Sequence, residues 1–139
     1  MTDSAPSSPD PAASARRLVD TFGRGWARQD AELLLSVFSD DAVFREGPFG
    51  QAHEGLAAIR GYWADTSYHQ SEGTFSSGEV FTVGPWFSVE FKSVFRRRRT
   101  GEWVDVRGAL FCELDDEKIS EMRMYWHRWT RGREVDNSL

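Results

Sequence analysis

The sequence holds a single cysteine, Cys112, in 139 residues. An internal disulfide is therefore excluded, and a reducing, cytoplasmic setting is expected. No apolar run approaches the roughly 18 residues of a membrane-spanning helix, so no membrane partner is expected. The opening stretch, MTDSAPSSPDPAASARR, lacks the apolar centre of a secretory signal. Positive charge is in the minority: 17 Lys and Arg stand against 22 Asp and Glu, a net charge of −5. Nucleic-acid binders normally carry a basic footprint, so nucleic acid is not an expected partner. Histidine is scarce, and His53, His69 and His127 form neither a His-x-His nor a His-x-x-x-His pair. Neighbouring carboxylates show no ligand spacing, so no metal is expected.

Aromatic residues, by contrast, make up 14% of the chain, with ten Phe and six Trp. Disordered chains are poor in aromatics, so global disorder is excluded. The length suits one domain with one hydrophobic core. Residues 1–10 are rich in Ser, Pro and Ala and read as a disordered leader. Residues 11–131 read as the domain and 132–139 as a polar tail.

Hydrophobic spacing then sets the elements. Asp10 followed by Pro11 is a helix-start signal. Leu18, Phe22 and Trp26 recur at i, i+4 and i+8 and form one stripe. Gly23 and Gly25 each weaken this helix by roughly 1 kcal/mol relative to Ala, which points to close packing or a bend. Asp30 caps a second helix that buries Leu33, Leu34, Val37 and Phe38 and ends at Ser39-Asp40-Asp41. A short strand over 42–46 places Phe44 and Glu46 on one face. After the loop over 47–50, a third helix over 55–65 buries Leu56, Ile59 and Trp63.

From Tyr68 onward the period falls to two, giving strands near 68–82, 86–99, 102–114 and 118–130. Val83-Gly84-Pro85, Thr100-Gly101 and Asp115-Asp116-Glu117 are breaks of hairpin length. Phe87, Val89, Phe91, Ser93 and Phe95 share a face. So do Val106, Gly108, Leu110, Cys112 and Leu114, and so do Met122, Met124 and Trp126. Helices followed by a long meander give an α+β fold: a curved, cone-shaped antiparallel sheet packed against three N-terminal helices. A cone whose apolar lining exceeds what the helices cover has a cavity at its mouth.

Several motifs then carry a resemblance. They are Trp26-Ala-Arg-Gln-Asp30, Phe38-Ser-Asp-Asp-Ala-Val-Phe44, Glu54-Gly-Leu-Ala-Ala-Ile59-Arg-Gly-Tyr-Trp63 and Ile119-Ser-Glu-Met-Arg-Met-Tyr-Trp126. In this order and spacing the chain resembles the nuclear transport factor 2-like superfamily, within it the SnoaL-like and ketosteroid isomerase-like proteins. The resemblance implies the cone fold. It does not imply one activity, because the fold hosts isomerases, cyclases, hydrolases, transport factors and dimerisation modules. It places a carboxylate general base at Glu46. The isomerases' tyrosine oxyanion donor falls on Phe22, and their protonated acid falls near Leu110. Losing one such donor typically costs about 10²–10³ in rate, which argues against ketosteroid isomerase chemistry. The pocket acid of the SnoaL-like cyclases and limonene epoxide hydrolase-like enzymes falls on Met124, which argues against those activities.

Two readings are open for Glu46. In one, the carboxylate sits among aromatics in the pocket, where burial raises its pKa and fits it for acid or base work. In the other, it lies at the rim and pairs with an arginine. Phe22, Trp26, Phe44, Trp63, Phe91, Leu110, Met122, Met124 and Trp126 are expected to line or floor the pocket, each with ordinary core packing as the alternative. Such a lining suits a small apolar molecule. Proton transfer there needs no cofactor. Arg96-Arg97-Arg98-Arg99 reads as a solvated hairpin tip. Cys112 reads as a buried structural thiol. Arg107, Arg123, Tyr125, His127 and Trp129 face outward, where a homodimer would cover them. Asp105 joins Arg107 on that outward face. Three classes stay open: a cofactor-free enzyme working through Glu46, a ligand-binding module without turnover, and a homodimeric interaction module.

Overall fold

The computed structural model describes residues 10–130. The expected leader, apart from Asp10, and the expected tail lie outside the described residues. The chain forms helix α1 (Pro11–Ala27), helix α2 (Ala31–Leu35), strands β1 (Phe38–Glu46) and β2 (Ala52–Glu54), and helix α3 (Leu56–Tyr68). Strands β3 (Gln70–Val83), β4 (Trp86–Arg97), β5 (Trp103–Asp115) and β6 (Lys118–Thr130) follow. Three helices and one open, curved six-stranded sheet make the fold α+β, with strand order β2-β1-β6-β5-β4-β3.

Asp10 caps α1, its carboxylate accepting from Ala12 N at 3.3 Å. The stripe of Leu18, Phe22 and Trp26 is buried. The two glycines of α1 permit close approach. A Cβ on Gly23 would stand 2.2 Å from the Phe75 ring, and one on Gly25 would stand 2.5 Å from the backbone nitrogen of Leu34. The helix thus beds into β3 on one side and α2 on the other.

Asp30 caps α2 through Leu33 N at 3.1 Å. The helix stops at Leu35, short of the expected end, and residues 38–41 are strand, not helix and turn. Leu33 is only half-buried, while Val37 and Phe38 are buried outside the helix. The reason is tertiary: Phe38 pairs with Ile119, and Ile119 N donates to Val37 O at 2.8 Å. Strand pairing overrides the local helical spacing. A second departure is β2, which pairs antiparallel with β1 and was not anticipated.

Strands β3 to β6 form the expected meander, with its three turns at the expected breaks. The sheet is mixed and not wholly antiparallel, because β1 runs parallel to β6. These two strands are far apart in sequence, so the intervening elements carry the chain back for a parallel pairing. Phe22, Phe44, Trp63, Phe87, Leu110 and Met122 are among the fully buried side chains between helices and sheet. Phe22 meets Trp63 edge-on at 5.5 Å, and Trp26 meets Trp63 at 5.0 Å.

Candidate functional site

The side chains of α3 at Tyr62, Trp63 and Thr66, with Glu46 at the end of β1, surround a cavity of about 210 Å³. Met124, Trp126 and Arg128 of β6, Phe95 and Val106 of the neighbouring strands, Trp26 and Gln70 complete it. Period two along β6 sends Met124, Trp126 and Arg128 to one face. Helical spacing along α3 sends Ile59, Tyr62, Trp63 and Thr66 to one face. The site therefore follows from two periodicities meeting at the end of β1.

Glu46 is half-buried and is held by two donors. Tyr62 Oη donates to Glu46 Oε2 at 2.6 Å, and Trp126 Nε1 donates to the same oxygen at 3.0 Å. No described residue donates to Oε1, which keeps its lone pairs for another partner. The rim reading expected an arginine; a phenol and an indole hold Glu46 instead. Burial, reinforced by the hydrogen bond to the Glu46 carboxylate, holds the Tyr62 phenol above its ordinary value of 10.0. Tyr62 is thus a fixed neutral donor. Deeper in, Trp26 Nε1 donates to Gln70 Oε1 at 3.0 Å. Trp63 Nε1 is buried and meets no acceptor among the described residues.

Of the expected pocket residues, Trp26, Glu46, Trp63, Met124 and Trp126 line this cavity. Trp126 stands at its mouth, 37% exposed. Phe22, Phe44, Leu110 and Met122 are fully buried in the core and do not line it. Phe91 stacks on Phe75 at 5.8 Å and is likewise outside the lining. Their side chains belong to the core cluster, where Phe44 packs against His53, Tyr62 and Trp63, and Phe91 against Trp26 and Phe75. Tyr62, Thr66, Gln70, Phe95, Val106 and Arg128 were not anticipated. Tyr62 was within reach: it lies at i+3 from Ile59, on the face already assigned to the core side. Arg128 continues the period-two series of Met124 and Trp126.

A larger groove of about 710 Å³ runs along the opposite face of the sheet and is open to solvent. Lys92, Arg107, Tyr125 and His127 line it. Asp105, on that face as expected, is nonetheless buried, with both its carboxylate oxygens bonded to Arg107 at 3.1 Å. The inner cavity is the better site for chemistry, since it is more enclosed and pairs an acid with aromatic walls. Three of the four arginines of the run are tied down: Arg96 pairs with Glu72, Arg97 with Glu102, and Arg98 bonds Gln29. Cys112 is buried, and burial pushes its thiol well above its usual range. No group of three or more His, Cys, Asp or Glu able to hold a metal occurs among the described residues. No helix among them is long and apolar enough to cross a membrane.

Residues 15–122 match the family model of the SnoaL-like domain. The chain belongs to the SnoaL-like family. No curated protein matches the sequence. Solved structures share the fold of this SnoaL-like chain at low identity. One is SalBIII, described as an epoxide hydrolase/cyclase-like enzyme in pyran ring formation in the polyether salinomycin. It is 20% identical, with a TM-score of 0.72 over 83% of this chain and 92% of that one. A second is a Mycobacterium tuberculosis LEH-like epoxide hydrolase, 16% identical, with a TM-score of 0.70 over 85% and 86%. A third, RV0760c from Mycobacterium tuberculosis, was solved in complex with estradiol-17beta-hemisuccinate. It is 20% identical, with a TM-score of 0.68 over 84% and 94%. At such identity the likeness concerns the fold, and SnoaL-like chains must be read from their own sites.

Proposed function

We propose that this SnoaL-like protein binds a small apolar molecule in the inner cavity and moves a proton of that molecule through Glu46, without a cofactor. One observation carries the reading: Glu46 lines an aromatic-walled cavity with one carboxylate oxygen held by Tyr62 and Trp126, while no described residue donates to the other. The two donors orient the carboxylate, and the free oxygen is the acceptor. General acid–base catalysis of this kind contributes typically about 10²–10⁴ in rate. Solved structures of the same fold include one described as an LEH-like epoxide hydrolase and one in complex with estradiol-17beta-hemisuccinate, which supports a small-molecule role for the cavity.

The test has two parts. A melting-temperature screen of small cyclic carbonyl compounds comes first. A ligand at about 100 times its Kd adds about 2.7 kcal/mol and gives a clear shift. Deuterium exchange into the bound ligand in D₂O, followed by proton NMR, comes second. Wild type exchanges the acidic C–H, and Glu46→Gln exchanges it about 100-fold more slowly or worse. Binding without exchange in wild type leaves a ligand-binding module. No binding by any apolar compound refutes the pocket reading.

A homodimer through the outer face of the sheet accompanies this reading. The observation that favours it is aromatic exposure there: Phe111 and Trp129 are each 43% exposed, and Phe111 meets Tyr125 edge-on at 5.7 Å. Exposed aromatics clustered on one sheet face mark an interaction surface.

A further inference from the structure

We infer that the ligand of the inner cavity is an apolar molecule of about one ring bearing a carboxylate, with its anionic end at Arg128 and its apolar body pointing toward Glu46. The inference rests on the reading of this cavity as a ligand site.

Three donor groups of the cavity lining bond no described residue: the Trp63 indole N–H, the Gln70 amide nitrogen and the Arg128 guanidinium. Trp63 is 1% exposed, and its indole N–H finds no partner among the described residues. A buried N–H left unpaired costs free energy, so such groups usually face a water or a ligand acceptor. Gln70 is 8% exposed; its carbonyl oxygen is taken by Trp26, and its amide nitrogen bonds no described residue. Arg128 lines the same cavity and forms no ion pair with any described residue. Against these donors stands one acid, Glu46, with one oxygen already twice bonded. A ligand that satisfies this set brings oxygen acceptors and a negative charge. The guanidinium fork of arginine matches a carboxylate in two parallel hydrogen bonds.

Position along the strand keeps the two acids apart. Glu46 is level with Met124 in the β1–β6 register. Arg128 lies four residues further along β6, roughly 13 Å at a strand rise of about 3.3 Å per residue. The pairing of β5 with β6 is regular over this stretch, from Leu110↔Met124 to Val106↔Arg128. Met124, Val106 and Phe95 supply the apolar wall between the ends. Volume limits the size. About 210 Å³ falls below the roughly 300–1,000 Å³ of ordinary ligand pockets, so the cavity suits a single ring better than a fused polycyclic body.

Isothermal titration of phenylacetate and of its neutral isostere phenylacetamide tests this on the full chain. Wild type binds phenylacetate more tightly than the amide, and the preference shrinks as salt rises. Arg128→Gln weakens phenylacetate about tenfold and leaves the amide unchanged, while Arg128→Lys recovers part of the loss. Circular dichroism confirms that both variants fold. Equal phenylacetate affinity in wild type and Arg128→Gln overturns the inference, and so does tighter binding of the amide. Either result leaves the pocket reading intact, because a compound has still bound. Binding of neither compound overturns the inference and counts against the pocket reading as well.

Discussion

Tyr62 shows what a single side chain contributes to this site. Its phenol keeps its proton because burial and the neighbouring carboxylate both oppose ionisation. The unfolded chain has no such protection, and its tyrosine ionises above pH 10. Above that pH the folded state binds more protons than the unfolded state, so stability falls as pH rises. Cys112, also raised by burial, adds to the same loss from about pH 9. Urea midpoints at pH 7, 9 and 11 are expected to decline, and Tyr62→Phe is expected to flatten the upper part of the decline. An unchanged slope in Tyr62→Phe would assign the loss to other groups. Glu46 was legible in the sequence because it ends a short strand beside Phe44. Its partners were not: Tyr62 lies in the helical motif with nothing local to aim it at Glu46, and no local pattern marks Trp126 as a donor to a residue eighty positions away.

At the scale of elements, helix α1 balances two opposed effects at Gly25. Alanine favours a helix over glycine by about 1 kcal/mol. Its methyl, however, would stand 2.5 Å from the backbone of Leu34, which cannot rotate away. Overpacking of this kind costs about 1–3 kcal/mol, and a backbone neighbour puts it at the upper end. Gly25→Ala is therefore expected to lower the urea midpoint, by a net 1–2 kcal/mol or so. A rise in the midpoint would mean that α1 and α2 can separate at little cost. The meander was readable because alternation is a local signal, and its turns were marked by Gly, Pro and Asp. The end of α2 and the whole of β2 were not readable. Phe38 fits a helical stripe, and only Ile119, supplied by the other end of the chain, makes it strand. β2 is three residues long and gains its identity from β1.

For the whole molecule, the proposed homodimer is tested at the outer sheet face. Phe111 meets Tyr125 there, Trp129 is exposed further along β6, and Lys92, Arg107 and His127 line a groove on the same face. Light scattering after gel filtration is expected to give twice the 15.9 kDa chain mass, and Phe111→Arg is expected to give the single mass. A monomer in wild type at high concentration would leave those aromatics without a partner copy. The α+β class and the curved sheet followed from composition and periodicity; the parallel join of β1 to β6 did not, since it links segments with no adjacent sequence. That join has a consequence for synthesis. Contacts between distant segments are slow to form and wait on the closing of long loops. While a ribosome is still making β6, Glu46 has left the exit tunnel with β2 as the only neighbour its strand can pair with and its indole donor missing. The cavity is completed only when β6 arrives, and a product truncated before Trp126 keeps most of the lining residues but lacks Arg128 and the indole donor to Glu46.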